Sequence, residues 1–315
     1  MMPQKIVVLG TGGTIAGTAA APGDHLGYTA AQLGVEALVA AVPALAGVPL
    51  ACEQVAQLDS KDMDFTTWQQ LVLRCRHWLD QPDVQGLVIT HGTDTLEETA
   101  FLLHRVLAPA KPVVLTCAMR PATALMADGP QNLLDAVTVA RAPGATGVVA
   151  VCAGVVHAAP DVSKQHSYRL DAFTSGEAGP AGLVEEGRLR LLRDWPAAGA
   201  KEGPAAMNLI AAAQAWPRVE IVFNHAGADG GIVRALLAHG VDGIVAAGTG
   251  NGTLSRGLEA ALLQAQERGV RVLRATRCVF GRVLPHGGDV LPHAEGLSPV
   301  KARIELLLRL LAERA

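Results

Sequence analysis

The stretch Val84-Gln85-Gly86-Leu87-Val88-Ile89-Thr90-His91-Gly92-Thr93-Asp94-Thr95-Leu96-Glu97 decides the fold. Residues 84–89 are apolar enough for a buried strand. Hydroxyls and a carboxylate follow at once, and then a helical pattern over 98–107. A polar cluster therefore sits at the carboxyl end of a strand, where open α/β sheets bind their ligands. The N-terminus repeats the layout. There residues 5–9 read as a strand, followed by Gly10-Thr11-Gly12-Gly13-Thr14-Ile15-Ala16-Gly17. Two threonine-bearing strand ends point to hydroxyl chemistry more than to phosphate binding.

On either side of this stretch, strand-length apolar runs alternate with helical patterns, as in a parallel sheet covered on both faces. Further strands are predicted at 86–90, 112–117, 147–151, 219–223, 243–247 and 270–274. The clearest helix is 64–79, where Trp68, Leu71, Val72, Cys75, Trp78 and Leu79 recur at steps of three and four. Helices are also predicted at 129–140, 254–267 and 299–312, with Ser298 as an N-cap before Pro299. Strand periodicity lapses over 191–217, which holds Trp195-Pro196, Gly203-Pro204 and Trp216-Pro217. This gives a larger N-terminal α/β domain (1–190), a linker (191–217) that includes a short helix over 207–214, and a smaller C-terminal α/β domain (218–315).

A chain of 315 residues, half of them hydrophobic, can bury a sizeable core. Its net charge of -3 provides no basic field for nucleic acid or an anionic membrane, so the expected partner is a small molecule. The five cysteines are scattered with no Cys-x-x-Cys pair, which reads as reduced core thiols. The apolar run in residues 1–10 is too short for a signal peptide, and no window suits a membrane helix. The expected location is the cytoplasm.

The glycine-rich turn at 10–17 fits neither the dinucleotide fingerprint nor a phosphate loop. In the remaining reading its glycines let the backbone approach a small substrate and present Thr14. A threonine hydroxyl is a poor nucleophile without a base or proton relay. Thr93-Asp94 together with a lysine would make such a relay. Lys164, in the polar loop Asp161-Val162-Ser163-Lys164-Gln165-His166-Ser167 after the strand near Val151, is the candidate. On its own it reads first as a solvated surface lysine. His91 suits backbone hydrogen bonding better than catalysis. His286, His293 and Asp289 match no zinc spacing, so no metal or cofactor is expected. Arg120 is expected to pair with a carboxylate.

These residues resemble the bacterial-type L-asparaginase/glutaminase family. The resemblance is carried by Thr11-Gly12-Gly13-Thr14-Ile15-Ala16-Gly17, His91-Gly92-Thr93-Asp94-Thr95, Ala118-Met119-Arg120-Pro121 and Asp128-Gly129-Pro130-Gln131-Asn132-Leu133. It continues through Asp161-Val162-Ser163-Lys164, Gly248-Thr249-Gly250-Asn251-Gly252 and Lys301-Ala302-Arg303, collinear over nearly the whole chain.

The resemblance implies a flavodoxin-like larger domain, a smaller α/β domain, and hydrolysis of the side-chain amide of L-asparagine. It implies Thr14 as a nucleophile that forms an acyl-enzyme, with Tyr28, on a flap that follows the first strand, as its activating partner. Thr93, Asp94 and Lys164 would form the second relay. Asp94 would also accept from the substrate ammonium, and Ser60 would bind the carboxylate. The Ala118 backbone would contact the side-chain amide, and Asn251 would reach a neighbouring subunit's site. A homo-oligomer, dimer or tetramer, is therefore expected. Lys61 stands where many members carry Gln. Within 278–297, Asp289 and Glu295 are candidates for the acidic residue that secreted members supply to a neighbouring subunit. The alternatives are a glutaminase-asparaginase or related amidase, and a non-catalytic amino-acid sensor on the same scaffold.

Overall fold

The N-terminal apolar run forms β1 (Lys5–Gly12), buried along all but its first residue. In a computed structural model that describes residues 4–21, 23–196 and 203–314, the backbone falls into two compact units, Met1–Ala211 and Ala212–Ala315. After β1 come α1 (Val35–Ala40), β2 (Leu50–Leu58), α2 (Phe65–Leu79), β3 (Val84–Thr90), α3 (Leu96–Leu107), β4 (Val113–Thr116), α4 (Gly129–Ala140) and β5 (Val148–Cys152). Short antiparallel pieces follow: β6 (Val155–Ala158), β7 (Ser163–Lys164), β8 (Phe173–Thr174), β9 (Gly182–Glu185) and β10 (Arg188–Leu191). Then comes α5 (Gly203–Ala212).

The main sheet has eight strands in the order β10-β9-β6-β5-β4-β3-β1-β2. Strands β5 to β2 pair in parallel, and β6, β9 and β10 extend the sheet in antiparallel fashion. Read from β2, the parallel part runs 2-1-3-4-5, the flavodoxin-like order. Its direction of winding reverses between β1 and β3, and such a switch point opens a crevice at the strand ends. Strand alternation divides the core. Ile6, Val8, Val88 and Val114 join Val35 and Leu38 of α1 and Leu133, Ala136 and Val137 of α4 in one cluster. Helices α2 and α3 pack together and against β2, β3 and β5. Each fully buried leucine here, Leu71 and Leu103 among them, contributes roughly 1.5–3 kcal/mol of burial.

The start of α2 has a clear local cause. Asp64 stands in extended conformation as N-cap and accepts from Thr67 N at 2.7 Å, satisfying one of the orphan amides of the first turn.

The second unit is a three-stranded parallel sheet, β11 (Val219–Phe223), β12 (Gly243–Gly248) and β13 (Arg271–Thr276), in that order. α6 (Gly231–Ala238) and α7 (Arg256–Glu267) share one core cluster with Val222, Ile244 and Ala246. α8 (Pro299–Arg314) lies against all three strands. Gly243 allows this approach, since a Cβ there would sit 2.8 Å from Leu306 Cδ2.

Both expected sheets are present, with differences of detail. The polar loop expected directly after the strand near Val151 is preceded by a hairpin, because β6 turns back along β5. Lys164 instead lies on the β7–β8 ribbon. The short helix expected over 207–214 is α5, starting earlier at Gly203. Among the described residues the buried Ser298 hydroxyl has no hydrogen-bond partner, so it supplies no side-chain cap. Pro299, preorganised for a first helical position, sets the start of α8. No helix among the described residues is long and apolar enough to cross a membrane.

Candidate active site

The two threonine-bearing turns meet back to back because two residues between them have no side chain. Gly13 has φ 81° and ψ -171°, a region essentially restricted to glycine. A Cβ on it would lie 2.3 Å from Gly92 Cα, and one on Gly92 would lie 2.4 Å from Ser60 Oγ. This contact sets the turn after β1 against the turn after β3 at the switch point. A further clasp is the bond from Thr11 Oγ1 to Thr90 O at 2.9 Å. Thr14 and Thr93 follow the two glycines and are both nearly buried, 7 % and 6 % exposed.

Thr14 Oγ1 lies 2.6 Å from the Tyr28 phenol oxygen, a hydroxyl pair in which either oxygen can donate. Tyr28 is delivered by a hairpin-like excursion whose arms are joined by reciprocal Thr18–Thr29 backbone bonds of 2.9 Å. The bare Gly17 makes room for the phenol ring, since a Cβ would come within 2.9 Å of Tyr28 Cδ2. Lys164 Nζ donates to Thr93 Oγ1 at 2.8 Å and to Asp94 Oδ1 at 2.6 Å. The lysine side chain is only 19 % exposed, so the surface reading of Lys164 gives way to a half-buried contact with Thr93.

Ser60 is buried in the 3-10 turn after β2. Its hydroxyl oxygen accepts from Asp94 N at 3.1 Å, and its carbonyl accepts from Thr95 Oγ1 at 2.8 Å. The Ser60 proton therefore remains available to a ligand. Next to it Lys61 is ion-paired to Asp59 at 2.6 Å and lies 3.6 Å from Asp62, so its charge is already met on its own turn.

Ala118, 1 % exposed, lies just past β4 in a loop shaped by Asp128. That carboxylate occupies the N-cap position of α4 but makes no cap bond. It turns back to accept from Met119 N and Arg120 N, each at 2.9 Å. Asn132 donates to Cys117 O at 2.9 Å and accepts from Ala153 N at 3.0 Å, tying the ends of β4 and β5. Asn251 lies in the second unit, where Leu284 holds both ends of its amide at 2.9 and 2.7 Å.

His91 is fully buried, with Nδ1 at 2.8 Å from Gly92 O and Nε2 at 2.9 Å from Thr99 Oγ1. Thr99 in turn accepts from Trp68 Nε1 at 2.9 Å. Burial pushes the His91 pKa down to about 4, so the ring stays neutral and holds the Gly92 carbonyl. The expectation for Arg120 is overturned. No carboxylate pairs with its guanidinium among the described residues, and the carbon of that group lies 4.2 Å from the centroid of the Tyr168 ring. A nearby aromatic face supplies the negative potential that a carboxylate would have given.

The motifs pointed to Thr14, Tyr28, Ser60, Thr93, Asp94, Ala118 and Lys164, and the first unit holds all seven near the β1/β3 edge or on loops bonded to it. Gly92, Asp128 and Tyr168 escaped notice as working parts, and Gly13, expected to let the backbone approach a substrate, instead meets the Gly92 backbone. A polar residue before Gly129-Pro130 was a signal for Asp128, and the only tyrosine besides Tyr28 was one for Tyr168. Among the described residues no group of three or more His, Cys, Asp or Glu side chains is arranged to hold a metal ion.

Comparison with known proteins gives matches over almost the full length. Residues 5–197 match a family model described as asparaginase, N-terminal. Residues 218–314 match one described as glutaminase/asparaginase C-terminal domain. A glutaminase-asparaginase of Pseudomonas fluorescens biotype A is 36% identical over 97% of this chain and 86% of its own. An L-asparaginase 2 of Escherichia coli K12 is 37% identical over 97% and 88%. A solved structure described as a probable cytoplasmic L-asparaginase from Campylobacter jejuni superposes with a TM-score of 0.91 at 35% identity, covering 98% of this chain and 95% of that one.

Proposed function

The chain belongs to the asparaginase family, and on that premise we propose that it hydrolyses the side-chain amide of L-asparagine to L-aspartate and ammonia through a threonine acyl-enzyme. The observation that carries this reading is the pairing of two threonines with two different proton carriers at one sheet edge. Thr14 has Tyr28 at 2.6 Å, and Thr93 has Lys164 at 2.8 Å. A sensor has no use for two such relays.

In this mechanism Thr14 Oγ1 attacks the amide carbon while its proton passes to the Tyr28 oxygen and the phenol's own proton moves on to the leaving nitrogen. The carbon–nitrogen bond breaks once the leaving nitrogen has received a proton, and ammonia departs. The ester on Thr14 is then cleaved by water that Thr93, held by Lys164, positions, and the water's proton returns through Tyr28 to Thr14 Oγ1 as the ester bond breaks. Backbone amides around Thr14 and Thr93 face the oxyanion. Asp94 takes the substrate ammonium with the oxygen that Lys164 leaves free, a charge-assisted bond. The spare Ser60 proton goes to the α-carboxylate, and the Ala118 backbone orients the amide. Asn251 acts in the site of a neighbouring copy, which makes the working enzyme a dimer or tetramer. Cytoplasmic action fits the five free cysteines.

Glutaminase-asparaginase is the second reading, favoured by the relative from Pseudomonas fluorescens. One methylene separates the two substrates, which a pocket discriminates by only about 1–3 kcal/mol. Ammonia release from L-asparagine and L-glutamine, measured for the wild type beside Thr14→Ala and Lys164→Gln, tests the proposal. Thr14→Ala is expected to abolish turnover, and Lys164→Gln to lower it about 10²–10⁴-fold. An acyl group trapped on Thr93 would overturn the assignment of the nucleophile. Release from neither amide by folded protein, with ligand binding intact, would favour the sensor.

A further inference from the structure

Three site-bearing segments converge on one side chain that the proposed mechanism leaves unused. Tyr168 sits in the loop closing the β7–β8 ribbon, four residues after Lys164. That loop is tightly held. Gln165 N and His166 N both donate to Ala172 O, at 2.7 and 3.2 Å. His166 Nδ1 accepts from Tyr168 N and Arg169 N, each at 3.1 Å.

From this base the Tyr168 hydroxyl lies 3.3 Å from His25 Nδ1, within hydrogen-bonding distance of the segment that carries Tyr28. Its ring lies under the guanidinium of Arg120, with 4.2 Å between the guanidinium carbon and the ring centroid. Arg120 Nη1 is buried and has no hydrogen-bond partner among the described residues. Arg120 belongs to the loop just after Ala118, which also anchors the root of the Tyr28 segment. Ala122 N donates to Gly17 O at 2.8 Å, and Ala19 N donates to Thr123 Oγ1 at 2.8 Å. The root of the segment is thus fixed by backbone bonds to the Arg120 loop. Its outer part is held by Tyr168.

We propose that Tyr168 is a positioning residue that latches the Tyr28 segment to the Lys164 ribbon. It keeps the Thr14–Tyr28 and Lys164–Thr93 contacts formed at the same time. The proposal rests on the reading of Thr14 and Tyr28 as the reacting pair. Tyr168 touches neither substrate nor reacting atoms. It acts through the fraction of time that Tyr28 stays over Thr14, as closing segments do.

The test combines turnover with hydrogen–deuterium exchange, which needs no turnover. Tyr168→Phe keeps the stack on Arg120 and removes only the hydroxyl. His25→Ala removes the partner, and Tyr168→Ala removes both contacts. Tyr168→Phe and His25→Ala should each lower kcat on L-asparagine about 2- to 10-fold, the worth of one hydrogen bond. The double variant should be no worse than either single one. Amides of residues 18–29 should exchange faster in all three variants. A purely local structural role would instead raise exchange only within 163–174 and leave 18–29 unchanged, which overturns the proposal. Additive losses in the double variant overturn it too. If the wild type releases no ammonia while exchange over 18–29 still responds to Tyr168, the amidase reading fails and the latch contact stands.

Discussion

Replacing Gly13 by alanine probes the contact on which the whole site is built. The backbone at this position, φ 81° and ψ -171°, costs a residue with a side chain about 1–3 kcal/mol. The new methyl would lie 2.3 Å from Gly92 Cα and 2.4 Å from Gly92 N. Backbone atoms cannot swing aside as a side-chain tip can, and overpacking of this kind costs about 1–3 kcal/mol more. The sum is about 2–6 kcal/mol. With a urea slope of about 2–3 kcal/mol/M, the unfolding midpoint should fall by about 0.7–3 M. Tryptophan fluorescence reports on the right region, since Trp68, Trp78 and Trp195 lie in the first unit. Gly92→Ala is the internal control. It has no positive φ, and its clash is with the Ser60 side chain at 2.4 Å, so it should carry only the overpacking cost, about 1–3 kcal/mol. Both variants should lose turnover, because misplacing reacting groups by about 1 Å costs on the order of 10²-fold. The strain assigned to Gly13 is refuted if Gly13→Ala unfolds within about 0.5 kcal/mol of the wild type, or if Gly92→Ala is the more damaging of the two.

Acid stability tests two of the buried imidazoles, His91 and His157. Burial lowers the pKa of both His91 and His157 to about 4. Between pH 6.5 and 4 the unfolded chain binds protons that the folded one refuses, so stability falls as pH drops through that window. The loss approaches about 3 kcal/mol per histidine at the bottom of the window. Urea midpoints at pH 7, 5.5 and 4.5 should show a slope that His91→Gln makes shallower, and an unchanged slope would refute the assignment. Asp64→Ala removes the α2 cap and should cost about 1 kcal/mol. Differential scanning calorimetry should read this as a melting temperature lower by about 2–4 °C, and no change would show that the cap bond is idle.

The legible parts of the fold were those buried on two sides. Residues 86–90 and 243–247 announce themselves because central strands covered by helices on both faces are continuously apolar and buried. β2 went unread for the opposite reason. It lies at the sheet edge and pairs only with β1. Its Glu53, Gln54 and Gln57 break the apolar run, and none of its residues is fully buried. The four-residue strands β6, β9 and β10 are too short for a periodic signal, and Arg188-Leu189-Arg190-Leu191 is mostly exposed. In the site, the two threonine turns could be read from local sequence because each is a strand end. The Lys164–Thr93 bond joins residues 71 positions apart, and the sequence offered them only as a candidate relay on one sheet edge, to which the family resemblance added the pairing. The expectation of a carboxylate for Arg120 failed because charge pairing was assumed where an aromatic ring was available.

The contact between Gly13 and Gly92 also bears on how the molecule acquires its competence during folding. Each threonine turn is local and can form from its own neighbours. Neither is a site until β1 and β3 pair across a separation such as the 79 residues between Thr11 and Thr90. Closing so long a loop is a slow event compared with helix formation. A refolding chain would therefore regain its helical signal well before its chemistry. Recovered turnover is then a clock for the moment when the centre of the sheet closes.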